Sequence, residues 1–506
     1  MKTGRYTFPL LAAASVLLSL CYSPPFDLGI SDKDIFAYGG WALSKGLVPY
    51  RDFVDHKPPL IYFVHCLGLS AGGFWGLWVL NAGLALLASW LLFKCCRRYN
   101  APFPWLPPLL FNLMLRDNLI SEGINMTREY TAFFYIFFFC VLMGNSRYRH
   151  YWMGLLSGAI FFMQQDQVLP LIPLFGYALF SIDHKPVGKR IVWMAAGFLS
   201  VAAPLILFFA LHGALGDFWQ QAFLFNLNTY TAQQKSPGDH FRSIKRVLDA
   251  GNYEWPFMIS LILGVTTLFW RAIEKKGLIT AALAAMLLTM SPEYLGGRFN
   301  GHEAVIDYIY YFLPLSASVS VLLFTVFAFG DKYMMRPRAA RLPIVLLLCT
   351  SLVYTAFQHG THLVRKEEDK YTNTPERDYL RTHKPGNFGL FIVQEEDLTG
   401  CYYQFRTLAP SRWVYQHFWS WYDNWDTDGR ILRSIGQDLL DHHTTYVIMN
   451  SEKVATFRIR QNQEWWMAFM KEHYEQLDLP GHPHSELWRL KLAQPEPGAR
   501  ADTLFR

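Results

Sequence analysis

The chain is poor in charge and in cysteine. Of 506 residues only 17% are Asp, Glu, Lys or Arg, and seven are cysteine. Six of the seven lie within or beside apolar runs, and past Gly360 only Cys401 remains. One cysteine forms no internal disulfide, so the C-terminal part must be held by a packed core. Metal-ligand spacings such as CxxC or HExxH are missing, so the sequence carries no signature of a bound metal. There is no internal repeat. The first apolar segment lacks a small-x-small site ahead of Pro24-Pro25, which argues for a retained anchor over a cleaved signal peptide.

What is abundant is apolar surface: 52% of the residues are hydrophobic and 17% aromatic. A bilayer core takes about 20 mostly apolar residues per helix, fewer where polar flanks snorkel. On that basis the sequence predicts a polytopic α-helical membrane protein with about eleven transmembrane helices, at 7–23, 73–94, 103–120, 128–144, 151–164, 168–182, 191–212, 256–271, 277–291, 306–329 and 342–358. Lys and Arg collect in alternate short loops, at Lys94–Arg98, Arg147–Arg149, Lys185–Arg190, Arg271–Lys276 and Lys332–Arg341. All five fall on one side if the N-terminus, with Lys2 and Arg5, is cytoplasmic. The expected organisation is a membrane domain over 1–359, with a first outer loop at 24–72, and a soluble extracytoplasmic α/β domain over 360–506. The net charge of +6 then sits in cytoplasmic loops and calls for no nucleic acid.

The first outer loop is where chemistry gathers. Ser31–Leu60 carries Asp32, Asp34, Arg51, Asp52, Asp55, His56 and Lys57 against a membrane face. Charges this dense beside a bilayer are costly to desolvate and mark a site for a charged substrate, the alternative being a solvated interfacial loop. Apolar residues at Ile35, Phe36, Trp41 and Leu43 fit a short interfacial helix opened by Ser31 and stopped at Gly46. Pro49-Tyr50-Arg51-Asp52 continues in extended form. Lys57-Pro58-Pro59 then opens a second helix through Gly68, since proline is tolerated in a first turn. Lys57 there does little for the helix, but with the free N–H groups it suits an anion.

Other outer segments add polar groups. Thr127, Arg128 and Glu129 open the fourth helix, with Arg116, Asp117 and Glu122 ahead of them; capping explains Thr127 but not the mixture of charges. Gln164-Gln165-Asp166-Gln167 makes either a tight turn or a polar cavity wall. A long loop over 213–254 reads as a lid, a substrate wall or a disordered segment. In Ser291–Glu303, Gly296-Gly297 allows close backbone approach and Arg298 offers a planar fork for phosphate. Beyond Gly360, Phe388–Val393, Thr444–Met449 and Glu486–Leu492 read as strands, and Asp428–Leu440 and Gln463–Tyr474 as amphipathic helices. The aromatic stretch Arg412–Trp425 suits packing better than sugar stacking.

Taken in order, these residues resemble a known family. Asp32 with Phe36, then Gly46, Pro49-Tyr50-Arg51-Asp52-Phe53 and Asp55-His56-Lys57-Pro58-Pro59-Leu60 are similar to the first outer loop of GT-C membrane glycosyltransferases. The relatives in view are the dolichyl-phosphate-mannose protein mannosyltransferase and lipid A aminoarabinose transferase superfamily. Asn125–Tyr130 resembles the family's second acidic element, and Arg298, His302 and Tyr311–Pro314 its glycine-arginine-histidine-tyrosine segment. Tyr403 through Ser411-Arg412-Trp413 resembles part of the external domain of bacterial members. The resemblance implies a GT-C fold in a bacterial inner membrane and transfer of a sugar, hexose or pentose, from a polyprenyl-phosphate carrier to an envelope glycan, lipid or protein. It places Asp32 as the catalytic aspartate, with Asp34 as the rival if the register slips by two, and Lys57 and Arg298 on the carrier phosphate. The chain departs from the family at Lys33, His56 and Arg128, which leaves the second carboxylate open among Glu129, Glu122 and Asp55.

The expected mechanism is inverting displacement, with Asp32 as base and Lys57, Arg298, His302 and Arg128 around the leaving phosphate. Tyr50, Arg51, Asp55, His56 and Gln165 are expected to line the substrate pocket. No cofactor is required, although a carboxylate-rich loop has room for a divalent ion. Two other classes compete: a transporter or flippase for lipid-linked sugars, and a non-catalytic subunit of an envelope-assembly complex. The external domain and one-sided charge speak against the transporter.

Overall fold

The structure is a computed structural model and describes residues 7–24, 31–116, 124–181, 186–230, 254–269, 275–290, 312–330, 353, 357, 374–393, 398–414, 426, 428–454, 459–479 and 485–491. The chain divides into two compact units, Met1–Asp369 and Lys370–Arg506.

The first unit is helical. Its apolar runs become α1 (Thr7–Leu20), α2 (Ser31–Ser44), α3 (Leu60–Arg98), α4 (Leu106–Leu115), α5 (Thr127–Met143), α6 (Arg149–Met163), α7 (Ile172–Ser181), α8 (Val187–Leu211) and α9 (Leu215–Trp219). Three more follow: α10 (Glu254–Leu268), α11 (Lys276–Leu288) and α12 (Leu315–Phe329). By length and composition α3 and α8 are long and apolar enough to cross a membrane, whereas α1, α4, α11 and α12 are apolar but shorter. Of the segment expected at 342–358, only Val353 and Phe357 lie among the described residues. Along α8, Val192, Leu199, Leu207 and Leu211 stay more than half exposed, an apolar outer face that suits lipid rather than water. Its other side packs on α6. Gly154 abuts the carbonyl of Met194, and Gly197 that of Tyr151, the close backbone approach that small residues allow between membrane helices.

The break near Gly68–Gly73 falls where the sequence reading puts it, while the segment 213–254 differs from that reading. The short helix expected through Gly68 and the span expected from 73 are both present as the two arms of α3, separated by non-helical Gly72 and Gly73. Gly73 sits at φ 62°, where a side chain would be strained, and Gly76 lies against the carbonyl of Gly68. In a straight helix those two glycines would stand about 12 Å apart, so the chain reverses there. The difference is at 213–254, read as a loop: α9 begins at Leu215 and continues through π-helical turns, Gln220–Leu224 and Asn226–Tyr230. Phe218, Ala222 and Phe225 are buried; their spacing of three to four residues favours a helix over a loop. The amphipathic stretch Phe241–Asp249 lies outside the described residues.

Polar side chains tie the bundle together. Asn112 of α4 accepts from Ser15 Oγ of α1 at 2.8 Å and donates to Ser89 Oγ of α3 at 2.7 Å. Tyr22 OH donates to the Arg116 carbonyl at 3.0 Å, and Trp78 Nε1 to that of Ser19 at 2.8 Å. Each bond satisfies a group that would otherwise be stranded among apolar neighbours.

The second unit is built on a four-stranded sheet. Strands β1 (Leu390–Val393), β2 (Tyr446–Met449), β3 (Tyr474–Gln476) and β4 (Glu486–Leu490) stand in the order β1-β2-β4-β3, with β1 parallel to β2 and the other pairs antiparallel. Leu390 pairs with Tyr446, and Val447 with Trp488. Two helices, Arg430–Asp441 and Arg460–His473, bury Leu432, Ile435, Leu439, Trp466, Phe469 and Met470 in one core with Phe391, Val393, Val447 and Met449. The Asp426 carboxylate caps the first of them through the N–H groups of Ile431 and Leu432, at 2.8 and 3.0 Å. Residues 415–425 of the aromatic stretch lie outside the described residues.

Candidate active site

The site is assembled where α2 lies on the first half of α3. Gly39 and Gly40 make that approach possible: a Cβ on Gly39 would meet the Tyr62 ring at 2.5 Å, and one on Gly40 the backbone nitrogen of Cys66 at 2.7 Å. Phe36 fits edge-on against Tyr62 and His65, with ring centroids 6.5 and 6.0 Å away. This contact brings the start of α2 to the start of α3. Asp32 Oδ2 and Lys57 Nζ lie 3.6 Å apart, an ion pair longer than a direct hydrogen bond. Asp34, buried at the same helix start, is set about 200° further round α2.

The loop between the two helices is pinned from within. Tyr50, at φ 71°, bonds through its N–H to the Phe53 carbonyl at 2.8 Å and donates its hydroxyl to the Lys57 carbonyl at 2.6 Å. Asp55 Oδ1 accepts from the N–H groups of His56 and Lys57, at 2.6 and 3.1 Å, and Oδ2 accepts from Tyr62 OH at 2.5 Å. Burial pushes the Asp55 carboxyl up from its ordinary range, against the pull of the Tyr62 hydroxyl and the Lys57 charge. Burial likewise raises Tyr50, with the Asp55 charge adding to it. Tyr50, Asp55 and His56 therefore stand together beside Lys57. Arg51 turns outward, paired with neighbouring Asp52 at 2.8 Å and donating to the His212 carbonyl at 2.7 Å.

The next shell joins other helices to this loop. Gln221 on the π-helical turn donates to the Tyr50 carbonyl at 2.8 Å and accepts from the Asp55 N–H at 3.3 Å. Asn226 Nδ2 donates to the carbonyls of His56 and Ala222, each at 2.8 Å, and Gln165 Nε2 to that of Ala222 at 2.7 Å. Gln165 thus reaches the loop through α9. Arg128 is paired with Asp166 at 2.7 Å, and Thr127 Oγ1 donates to Gln164 Oε1 at 3.0 Å.

Glu129 is held differently. Its Oε1 takes the Arg116 guanidinium, and its Oε2 accepts from Asn81 Nδ2 and from the Asn125 N–H, both at 2.7 Å. The Arg116 and Glu129 side chains are 1% and 2% exposed, whereas those of Lys57 and Asp32 are 8% and 14% exposed. The first pair is sealed and its carboxylate filled; the second can be reached. The Asn125 carbonyl meets His65 Nε2 at 3.0 Å, so the Glu129 network ends beneath α2. Arg298, His302 and Glu122 lie outside the described residues. Among the described residues no group of three or more His, Cys, Asp or Glu is placed to hold a metal ion.

No family model matches the sequence, and no curated protein matches it. Solved structures do. ArnT from Cupriavidus metallidurans in the apo state is similar with a TM-score of 0.62 at 11% identity, over 95% of this chain and 97% of that one. The archaeal oligosaccharyltransferase AglB from Archaeoglobus fulgidus, in complex with an inhibitory peptide and a dolichol-phosphate, gives a TM-score of 0.51 at 11% identity, over 94% of this chain and 73% of that one. ArnT bound to undecaprenyl phosphate aligns over 64% of this chain and 60% of that one, with a TM-score of 0.47 at 14% identity. The chain has the GT-C fold.

On this GT-C scaffold, the residues that the sequence reading passed over are those that hold the site rather than form it: Asn81, Gln221 and Asn226. A signal for one of them was present. Asn81 interrupts an apolar run long enough to span a bilayer, where an unpaired amide is costly.

Proposed function

We propose that this GT-C protein is a membrane glycosyltransferase that moves a sugar from a polyprenyl-phosphate carrier to an acceptor outside the cytoplasm. The observation that carries the reading is the partly open Asp32–Lys57 pair: a base and a phosphate-binding cation within one side-chain length of each other. The dolichol-phosphate held by AglB supports a carrier of that class.

In the proposed reaction an acceptor hydroxyl attacks the anomeric carbon on the face opposite the phosphate. The new C–O bond forms as the bond to the phosphate oxygen breaks, and the electron pair leaves with polyprenyl phosphate. The hydroxyl proton passes to Asp32. The leaving group is a weak base and needs no proton. Lys57 neutralises its growing charge, strongly so in a site where water is scarce. The donor phosphate takes Lys57 from Asp32 on binding, which frees the carboxylate for its proton. Arg128, Arg298 and His302 serve as further phosphate contacts, Tyr50, Asp55 and His56 shape the pocket, and Glu129 anchors the bundle. The sugar is a hexose or pentose, and the acceptor an envelope glycan, lipid or protein. The N-terminus faces the cytoplasm and the second unit the outside of a bacterial inner membrane, in keeping with the one-sided Lys and Arg loops.

The test is to incubate the purified full chain with polyprenyl-phosphate sugars and follow acceptor- or water-dependent release of polyprenyl phosphate. Asp32→Asn is expected to abolish release while donor binding survives. Release near the wild-type rate in that variant removes Asp32 from the role. A wild-type chain that binds donor and releases nothing is a transporter or a non-catalytic subunit.

A further inference from the structure

A cavity of about 510 Å3 lies among Tyr99, Tyr177, Ser181, Arg147, Arg149 and Lys275. Its place follows from the course of α5. At one end Asn125 and Glu129 join the His65 side of the candidate active site; at the other, the Met143 carbonyl accepts from Tyr99 OH at 2.8 Å. The 17 residues of α5 separate these ends by roughly 24 Å. The cavity is therefore at the opposite end of the bundle from the Asp32–Lys57 pair.

Its chemistry is one-sided. Three cations line it and, among the described residues, no carboxylate does. Lys275 is held over the rings of Phe329 and Tyr99, at 4.7 and 5.2 Å from their centroids, so its charge is fixed in place rather than swinging in solvent. Arg149 is buried and anchored to the Gly144 carbonyl, while Arg147 stands exposed at the mouth. Leu142 and Met143 add an apolar wall. Beside the cavity Tyr148, Trp152 and Trp193 are left substantially exposed, the aromatic arrangement found at a membrane interface. A neighbouring shallow groove adds Lys189 and Arg190.

We propose that this cavity holds the phosphate of an anionic phospholipid headgroup. The reading rests on the membrane setting proposed above but not on sugar transfer. The volume falls within the range of small-molecule sites, about 300–1,000 Å3. Basic pockets between helix ends, flanked by interfacial aromatics, favour lipid phosphate over a free anion because the acyl chains lie along the apolar helix faces. Occupancy would brace the ends of α3, α5 and α6 from the side away from the active site.

Native mass spectrometry of the full chain in detergent tests this with phosphatidylglycerol, phosphatidylcholine and inorganic phosphate as probes. The expected result is retention of phosphatidylglycerol over phosphatidylcholine, weakened about fivefold for each charge removed in Arg147→Gln and Lys275→Gln. The charge-keeping Arg147→Lys and Lys275→Arg should retain it, which separates charge from packing. Equal retention of the two lipids, or undiminished retention in the double Gln variant, overturns the proposal. Displacement of phosphatidylglycerol by millimolar inorganic phosphate overturns the lipid assignment in favour of a free anion.

Discussion

Lys57 reaches Asp32 across the junction of two helices, 3.6 Å from ammonium nitrogen to carboxylate oxygen, and its own backbone is fixed at both ends. The N–H is bonded to Asp55 and the carbonyl to Tyr50. The loop thus fixes the point from which the side chain reaches out. Replacing it should expose what it does. Lys57→Gln is expected to lower kcat/KM for the lipid-linked donor by about 10- to 100-fold, the worth of a hydrogen bond to a charged group. Steady-state release of polyprenyl phosphate checks this, with Lys57→Arg recovering part of the loss.

The approach of α2 to α3 predicts a second effect. Gly40→Ala drives a methyl group against the backbone of His65 and Cys66, which neither residue can vacate by turning a side chain. A loss of about 1–3 kcal/mol is expected, together with loss of transfer as Asp32 is lifted from Lys57. Gly83→Ala, in α3 with open space around it, should cost nothing. Thermal unfolding in detergent and donor turnover distinguish the two.

The sealed pair Arg116–Glu129 predicts a third. Removing one partner strands the other in the interior, at a cost of about 3–5 kcal/mol. Glu129→Leu and Arg116→Met should each be strongly destabilised, and the double variant less so than their sum. Unfolding midpoints of the four proteins in a double-mutant cycle measure this. A Glu129→Gln protein of normal stability and no turnover would instead mark Glu129 as a chemical participant.

The Asp55 carboxyl gives a dependence on pH. Its folded value is raised by burial above the ordinary value of 3.8. A raised group contributes stability that is complete below the unfolded value and is lost as pH rises through the folded value. Wild-type stability should therefore lose this contribution on going up from about pH 4. Asp55→Asn keeps an oxygen for the His56 and Lys57 N–H groups and should flatten that limb. Unfolding midpoints between about pH 3.5 and 7 check it.

Much of the architecture was legible because the membrane writes it in composition. The apolar runs at 128–144, 151–164 and 191–212 fall within one to four residues of α5, α6 and α8, and the dense charge in 31–60 marked the loop where Asp32 meets Lys57. What the sequence withheld were partners. Nothing in the local pattern says that Glu129 belongs to Arg116 and Asn81, since those contacts exist only after α3, α4 and α5 have packed. Nor does a glycine pair in an apolar run say whether it bends a helix or packs one; at Gly72 and Gly73 it reverses the chain. Gln221 and Asn226 were hidden for a third reason. Their polarity suggested a loop, whereas each spends its amide on backbone groups of the first outer loop.

The reversal at Gly73 bears on how deep the chemistry sits. Because Gly76 rests directly on the Gly68 carbonyl, the two arms of α3 meet at a tight elbow. The short arm carries Tyr62 and His65, the floor under α2, while the long arm is the one sized to the hydrocarbon. In the proposed membrane setting, immersion of the long arm would set the height of that floor, and the bilayer would be the gauge for the level of Asp32 and Lys57.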